Sequence, residues 1–187
     1  MAAEDRIRWD GIFRQQTGQP YPPPDPLLLQ YTPPPTDEEA RGLDLAAGVG
    51  QNGLWMAQQG YTVDIIDISR IALRRALSEQ TMRNLRNVNL LQMDVDDLRL
   101  DAKRYDVICV FRYLKRHLFP LLKRATKPGG RMIYSTFNVD YLQIVPQFNK
   151  KFLLDLGELE GFFSDWQIVY SEDVAHESHL VAIKPEI

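Results

Sequence analysis

The sequence predicts an α/β fold built on a mostly parallel sheet, and three observations support this. From residue 41 onward, short apolar runs alternate with helix-like stretches. A glycine-rich loop follows the first of these runs. The last two strand-like runs, at residues 165–174 and 178–185, are separated by only a few residues. A parallel pair needs a crossover of about a dozen residues or more, so these two should pair antiparallel.

The individual elements follow from the spacing of apolar residues. Strands are predicted at residues 42–46, 62–67, 88–93, 106–111 and 131–136, and helices at residues 52–59, 70–84 and 117–126. In the second helix the apolar face should carry Ala72, Leu73, Ala76 and Leu77, and the opposite face Arg70, Arg74 and Arg75. Each helix then serves as a right-handed crossover between parallel strands.

The first 40 residues are predicted to be a separate segment, with residues 41–187 forming the main domain. A short amphipathic helix over residues 5–16 should carry Ile7, Trp9 and Phe13. Most of the prolines then fall between Pro20 and Pro35. Because proline fixes φ and lacks a backbone donor, we expect an extended arm without a helix. The arm could close a pocket as a lid or be a linker on the surface.

Composition limits the function classes. With 44% hydrophobic and 25% charged residues the chain has the composition of an ordinary globular protein, and its net charge of −3 provides no basic field for nucleic acid or anionic lipid. The single Cys109 cannot form an intramolecular disulfide, which favours a reducing compartment. There is no apolar signal core or spanning run, so a cytoplasmic protein is expected. His117, His176 and His179 do not cluster with Cys109, and no metal site is predicted.

Residues 41–69 carry most of the predicted chemistry. A strand ends near Ala46, Gly48 and Gly50 lie in a tight loop, and a helix opens near Asn52. Glycines at such a loop allow a sharp turn and let a ligand approach the backbone. The next strand ends with Asp67, and an acid in that position can accept hydrogen bonds from both hydroxyls of a ribose. The segment therefore predicts a cofactor that contains adenosine.

Two cofactors fit this description. Gly48, Gly50 and Gly53 satisfy the GxGxxG pattern literally, so an NAD(P)-binding oxidoreductase is one alternative. However, Asp44 in the first strand would repel a pyrophosphate, whereas it could help balance the ammonium of S-adenosylmethionine. The antiparallel end of the sheet also favours S-adenosylmethionine. Asp44 could instead cap a backbone amide, and a catalytically silent binding module is a further alternative.

From residue 41 onward the chain resembles the class I S-adenosylmethionine-dependent methyltransferases, and within them the tellurite-resistance-type small-molecule enzymes. LDLAAGVG resembles their first motif, MDVDDL their adenine-binding segment, YDVICVF their fourth strand and KPGG the turn before their fifth. The resemblance implies a Rossmann-like, seven-stranded sheet in the order 3-2-1-4-5-7-6, with the last strand antiparallel and helices on both faces. Ala46 and Ala47 replace the more common glycine or cysteine, and we expect them to keep a negative φ.

The resemblance also implies which residues contact the cofactor. Asp94 would meet the exocyclic amine of adenine and Val95 its ring, while Asp96 and Asp97 would be solvated or cap the next turn. Trp9, in an opening segment similar to that of the tellurite-resistance group, would pack nearby. The predicted cofactor contacts are Trp9, Asp44, Ala46, Gly48, Gly50, Asn52, Asp67, Ile68, Asp94, Val95, Phe111 and Arg112.

The methyl acceptor is predicted to be a small molecule that attacks the sulfonium methyl group by in-line displacement. No nucleic-acid or membrane partner is expected, and the protein is predicted to be a monomer or a homodimer. Ligands of open α/β sheets bind at the carboxyl ends of the strands. The acceptor-pocket candidates there are Arg112, Tyr113, Phe137, Asn138 and Tyr141. Arg112 could instead form a surface salt bridge, and Tyr141 could be a packed aromatic. No residue is an obvious general base, which favours a soft or anionic acceptor and leaves the catalytic residue unassigned.

Overall fold

The protein is described here from a computed structural model, which covers residues 2–186. It contains one seven-stranded sheet in the order β3-β2-β1-β4-β5-β7-β6. The strands are β1 Arg41–Leu45, β2 Thr62–Asp67, β3 Val88–Gln92, β4 Tyr105–Phe111, β5 Thr126–Phe137, β6 Gln167–Val174 and β7 Glu177–Ile183. β7 runs antiparallel to both β5 and β6, while the pairs β1–β2, β2–β3 and β4–β5 are parallel. The predicted Rossmann-like fold class is confirmed.

Six α-helices lie within the described residues: α1 Ala2–Gln15, α2 Pro26–Tyr31, α3 Gln51–Gln58, α4 Arg70–Met82, α5 Phe119–Ala125 and α6 Glu158–Gly161. Within residues 2–186, none of them combines the length and the apolar character that crossing a bilayer requires. The chain divides into two compact units, the first ending at Arg99 and the second beginning at Leu100.

In the first unit, α3 packs very closely on β2. A Cβ atom added at Gly53 would lie 2.5 Å from Cγ1 of Ile65, so only glycine fits at this crossing. The third glycine of the literal GxGxxG pattern therefore serves helix–strand packing. On α4, Ala72, Leu73 and Ala76 are buried as predicted. The prediction for Leu77 is wrong, since 53% of this residue is exposed. The buried face of α4 is narrow, and Leu77 lies at its edge.

The N-terminal segment differs from its prediction in two respects. Ile7 is 66% exposed, so it does not belong to a buried face of α1, whereas Trp9 and Phe13 are half-buried. The proline-rich arm is not wholly extended, because it contains α2. The Asp25 carboxylate accepts a hydrogen bond from the Leu27 N–H at 2.9 Å, and Pro26 occupies the first helical turn, where a missing N–H costs nothing. Local capping thus prevails over the density of prolines.

In the second unit, β5 begins earlier than predicted. The predicted helix over residues 117–126 ends as α5 at Ala125, and the KPGG segment belongs to β5 rather than to a turn before it. Its backbone is paired with the segment after β7: the Gly129 N–H donates to the Lys184 carbonyl, and the Lys184 N–H donates to the Gly130 carbonyl, both at 2.9 Å. This pairing explains why the segment belongs to the strand, although Gly129 has a left-handed φ of 72°.

Candidate cofactor site

The loop between β1 and α3 is a tight turn with an unusual backbone. Gly48 and Gly50 have φ values of 57° and 78°. Ala46 has a φ of 54°, so the expectation of a negative φ there is wrong. A left-handed alanine costs roughly 1–2 kcal/mol, and such strain is concentrated at functional sites. The turn is fixed by the Ala47 N–H, which donates to the Ile66 carbonyl at 3.1 Å.

Asp67 ends β2 and is tied directly to this loop. One carboxylate oxygen accepts from the Gly48 N–H and the other from the Ser69 N–H, each at 2.7 Å. Only 7% of the residue is exposed, and burial raises the pKa of its carboxyl to about 6. The backbone donors act in the opposite direction, and the negative charge of Asp10 adds to the rise. The structure thus brings Asp67 and the glycine turn together, through a hydrogen bond that the sequence did not predict.

Asp44 and Asn52 both have partners within the protein. The buried Asp44 carboxylate accepts a hydrogen bond from the Gly53 N–H at 2.7 Å. Asp44 thus caps a backbone amide, as one of the two interpretations of this residue expected. The side-chain oxygen of Asn52 accepts from the Asp25 N–H at 2.8 Å, so this residue holds the proline-rich arm. Both residues therefore lie beside the loop, where Asp44 stabilises the start of α3 and Asn52 stabilises the arm.

Gln51, the first residue of α3, was not among the predicted site residues. Its side-chain oxygen is buried and accepts no hydrogen bond. The N-cap of α3 is Gly50, which provides no side-chain cap. A buried acceptor without a donor destabilises a protein unless a ligand supplies the donor. No sequence pattern indicates this position, because glutamine at the start of a helix is ordinary.

A cavity of about 380 Å³ lies next to Asp67 along the chain. Its lining residues are Ala3, Arg6, Ile68, Gln92, Met93 and Asp94. Two predicted contacts, Ile68 and Asp94, are thus brought together, and Val95 is buried directly after Asp94. Asp94 also caps the 3-10 turn of residues 95–97 by accepting from the Asp96 N–H at 3.0 Å. Asp96 and Asp97 are exposed in this turn, which corresponds to the solvated alternative. α1 lines the cavity through Ala3 and Arg6, not through Trp9.

Both parts of the N-terminal segment rest on the glycine loop. A Cβ atom at Gly48 would lie 3.1 Å from Cζ of Phe13, so this ring covers the loop closely. The Tyr21 hydroxyl donates to the Val49 carbonyl at 2.6 Å. Trp9 lies one turn from Phe13, with 6.0 Å between the ring centroids. These contacts join residues far apart in sequence, so no local pattern predicts them.

In the second unit, the predicted residues after β4 are held by hydrogen bonds and an ion pair. Phe111 is half-buried at the end of the strand, and Arg112 follows with a φ of 55°. The Arg112 N–H donates to the Ser135 carbonyl at 2.7 Å, and its guanidinium lies 3.5 Å from a Glu177 carboxylate oxygen. The salt-bridge alternative is therefore present, although 63% of the Arg112 side chain stays exposed. The Tyr113 carbonyl accepts from a buried tyrosine hydroxyl.

The candidates after β5 form an aromatic cluster. The rings of Phe137 and Tyr141 are stacked, with centroids 4.2 Å apart and planes inclined by 15°. Tyr141 is therefore a packed aromatic, which was the alternative to an open acceptor-pocket residue. His176 is stacked 6.0 Å from Phe137. Asn138 is fully buried; its oxygen accepts from the Asp140 N–H, while its side-chain nitrogen has no partner.

Comparison with known proteins identifies the family. Residues 36–182 match the family described as "Tellurite resistance protein TehB". This match covers well over half of the 187 residues. The chain belongs to the TehB family.

Individual relatives of this TehB-family chain are more distant. It is 29% identical over 104 residues to ubiquinone biosynthesis O-methyltransferase of Coxiella burnetii, covering 53% of this chain and 44% of that protein. The chain thus matches less than half the length of this curated relative.

Solved structures support the fold. The crystal structure of TehB from Haemophilus influenzae has a TM-score of 0.67 and 18% identity, over 78% of this chain and 58% of that one. Phosphoethanolamine N-methyltransferase 2 of Haemonchus contortus, solved in complex with S-adenosyl-L-methionine, has a TM-score of 0.74 and 16% identity, over 94% and 56% of the chains. The predicted class I methyltransferase fold is confirmed, and nothing in these matches supports the oxidoreductase alternative.

Proposed function

We propose that this TehB-family chain is an S-adenosylmethionine-dependent methyltransferase that acts on a small-molecule acceptor. The observation that carries the proposal is the buried Asp67 carboxylate, bound to the glycine loop and followed by the cavity at Ile68 and Asp94. Family membership supports it, as do the O-methyltransferase relative and the structural neighbour solved with S-adenosyl-L-methionine.

The residues in the first unit suit the adenosyl group. Both Asp67 oxygens accept from backbone N–H groups, and an ionised carboxylate has about four acceptor positions, so acceptor capacity remains for a ribose hydroxyl. The Asp94 oxygen that does not cap the turn would accept from the adenine amine, with Val95 against the ring. Ile68 would line the same cavity.

The start of α3 suits the amino-acid portion of the cofactor. The orphaned Gln51 oxygen provides an acceptor that an ammonium group would satisfy. Asp44 adds a negative charge beneath the loop while it holds the Gly53 N–H. Gly48 and Gly50 give the loop its positive φ values, and their missing Cβ atoms make room for Phe13 and Ala76, which pack against the loop. We retain Trp9, Ala46, Asn52, Phe111 and Arg112 as predicted neighbours of the cofactor.

Bound S-adenosylmethionine supplies a methyl group that its sulfonium already activates. The protein's contribution is then to hold and align the two reactants, which is worth about 7–11 kcal/mol in well-oriented reactions. We infer that the acceptor brings its own nucleophile, in keeping with a soft or anionic group. The exposed guanidinium of Arg112 would attract such a group, and Tyr113, Phe137, Asn138 and Tyr141 remain the acceptor-pocket candidates.

The remaining features of the proposal concern the whole protein. Residues 1–40 act as a segment that covers the site, and residues 41–187 as the methyltransferase domain. A cytoplasmic location, a monomeric or homodimeric state and the absence of a nucleic-acid partner remain predictions.

The test is a turnover assay with the full chain, labelled S-adenosylmethionine and a panel of thiols, selenite, tellurite and small phenols. We expect S-adenosylhomocysteine and a labelled product with at least one acceptor. Asp67→Ala should abolish this turnover, while Asp64→Ala, a change in the same strand, should retain it. Tight binding of S-adenosylhomocysteine without turnover on any acceptor would favour the silent binding module and count against an enzyme.

A further inference from the structure

Asp10 of α1 docks onto the beginning of α4. One of its carboxylate oxygens accepts from the Ser69 hydroxyl at 2.6 Å and from the Ile71 N–H at 3.1 Å. The first backbone N–H groups of a helix have no partner within the helix, and the helix dipole favours a negative charge there. Asp10 therefore acts as a second cap of the 13-residue α4, supplied from another helix.

Ser69 connects this cap to the proposed ribose acid. Its hydroxyl binds Asp10, its backbone N–H binds Asp67 at 2.7 Å, and its side-chain oxygen accepts from the Ala72 N–H at 3.2 Å. Ser69 is completely buried, so its bonds with Asp67 and Ala72 are shielded from water, whereas the bond to Asp10 is only partly buried. Because Asp67 also binds Gly48, one chain of hydrogen bonds runs from α1 through the ribose acid to the glycine loop.

α1 also forms one side of the cavity beside Asp67. Ala3 and Arg6 line that cavity from α1, and Phe13 covers Gly48 from the same helix. If α1 leaves α4, the cavity loses this side and the loop loses its cover.

We propose that Asp10 is a positioning residue for the cofactor, which seats α1 on α4 and so holds the α1 side of the cavity at Ile68 and Asp94 in place. This inference rests on the proposed function, since it takes S-adenosylmethionine as the occupant. Asp10 acts through Ser69 and α1 without touching the cofactor itself.

The charges around Asp67 give this role a signature. The negative charge of Asp10 raises the pKa of Asp67. Burial tends to raise the pKa of Asp10 as well, but the bonds from Ser69 and Ile71 and the fields of two α1 arginines outweigh it, so that its pKa lies below the ordinary value. Asp10 is thus ionised wherever Asp67 titrates. The other charged side chains at the cavity are Arg6 and Asp94, and Asp10→Asn leaves both in place.

The experiment compares Asp10→Asn with Asp5→Asn, a matched change on the same helix whose carboxylate forms an exposed pair with Arg8. Binding of S-adenosylhomocysteine is titrated between about pH 5 and pH 8, the range that brackets the pKa of Asp67. Asparagine keeps one acceptor oxygen for Ser69 and Ile71 but not the charge, so the hydrogen bonds that seat α1 weaken, and Asp10→Asn should bind the ligand about tenfold less tightly. The midpoint of the pH dependence should also move to lower pH, because the pKa of Asp67 falls. Asp5→Asn should change neither quantity.

A ligand-free measurement accompanies the titration. Trypsin should cleave α1 faster in Asp10→Asn than in Asp5→Asn. If Asp10→Asn is too unstable to titrate, Ser69→Ala removes the hydroxyl that donates to Asp10 and keeps the Asp10 carboxylate. It should weaken binding, and its pH midpoint should move less than that of Asp10→Asn, because the Ile71 N–H still binds the charged carboxylate.

Different outcomes refute different statements. If the unaltered protein fails to bind S-adenosylhomocysteine, the proposed function and this inference both fall. If the unaltered protein binds it, and Asp10→Asn or Ser69→Ala binds equally well, only the role of Asp10 is refuted.

Discussion

Replacing Asp67 by Asn should stabilise the ligand-free protein at neutral pH and weaken cofactor binding at the same time. The pKa of this carboxyl is raised by burial from 3.8 to about 6 in the folded protein. The folded state therefore binds the proton more tightly than the unfolded state does. The resulting stabilisation is fully present below a pH of about 3.8 and is lost as the pH rises through about 6.

The magnitude follows from the two pKa values. A difference of about two pH units, at about 1.36 kcal/mol each, means that the ionised carboxylate costs about 3 kcal/mol above the folded-state pKa. Asparagine has one acceptor oxygen for the N–H groups of Gly48 and Ser69, so the substitution also loses about 1–1.5 kcal/mol of hydrogen bonding. The net gain should be about 1–2 kcal/mol, or a melting temperature higher by about 3–6 °C for a protein of this size.

Thermal unfolding of the ligand-free protein near neutral pH and in acid tests the stability, and titration with S-adenosylhomocysteine tests the binding. The advantage of Asp67→Asn should shrink as the pH falls. The control is Asp64→Asn, a buried carboxylate of the same strand that accepts from the Asn89 side chain at 2.7 Å. It should leave the affinity unchanged. If Asp67→Asn unfolds at a lower temperature near neutral pH, or binds the ligand as well as the unaltered protein, Asp67 is merely structural and the reasoning is wrong.

Three further substitutions test the packing, the electrostatics and the arm. Gly53→Ala should destabilise the protein by about 1–3 kcal/mol in urea unfolding, because the new Cβ would meet Ile65; unchanged stability would contradict the close packing. Glu158→Gln should cost about 1 kcal/mol at neutral pH, because it breaks a two-bond pair with Arg116 at 2.5 and 2.7 Å. The hydrogen bond from Arg116 lowers the pKa of Glu158, so this loss should vanish as the pH falls through that lowered value, and a loss that persists in acid refutes it. Asn52→Ala should speed proteolysis within residues 20–35, since its side chain holds the arm, and an unchanged rate would be inconsistent with that contact.

Local patterns predicted the elements that local physics determines. β2 has the predicted bounds, α4 begins at the predicted Arg70, and the final hairpin pairs antiparallel as its short connection requires. The proximity of Gly48 and Asp67 was also predictable, because the carboxyl ends of neighbouring parallel strands meet at one edge.

The remaining features depend on contacts that no window of sequence contains. Asp10 and Ser69 are 59 residues apart, and neither residue alone indicates the other. The left-handed Ala46 has no signature, since alanine rarely adopts that conformation. The unpaired Gln51 oxygen depends on the packing around α3. By contrast, α2 did have a local signal, an Asp25 cap followed by a first-turn proline, which the density of prolines concealed.

The most direct test asks which cofactor the site binds. The unaltered chain is titrated in a calorimeter with S-adenosylhomocysteine and, separately, with NAD. We expect saturable binding of S-adenosylhomocysteine, whose ribose Asp67 would accept, and none of NAD, whose pyrophosphate Asp44 disfavours. Saturable binding of NAD together with no heat from S-adenosylhomocysteine would contradict this expectation.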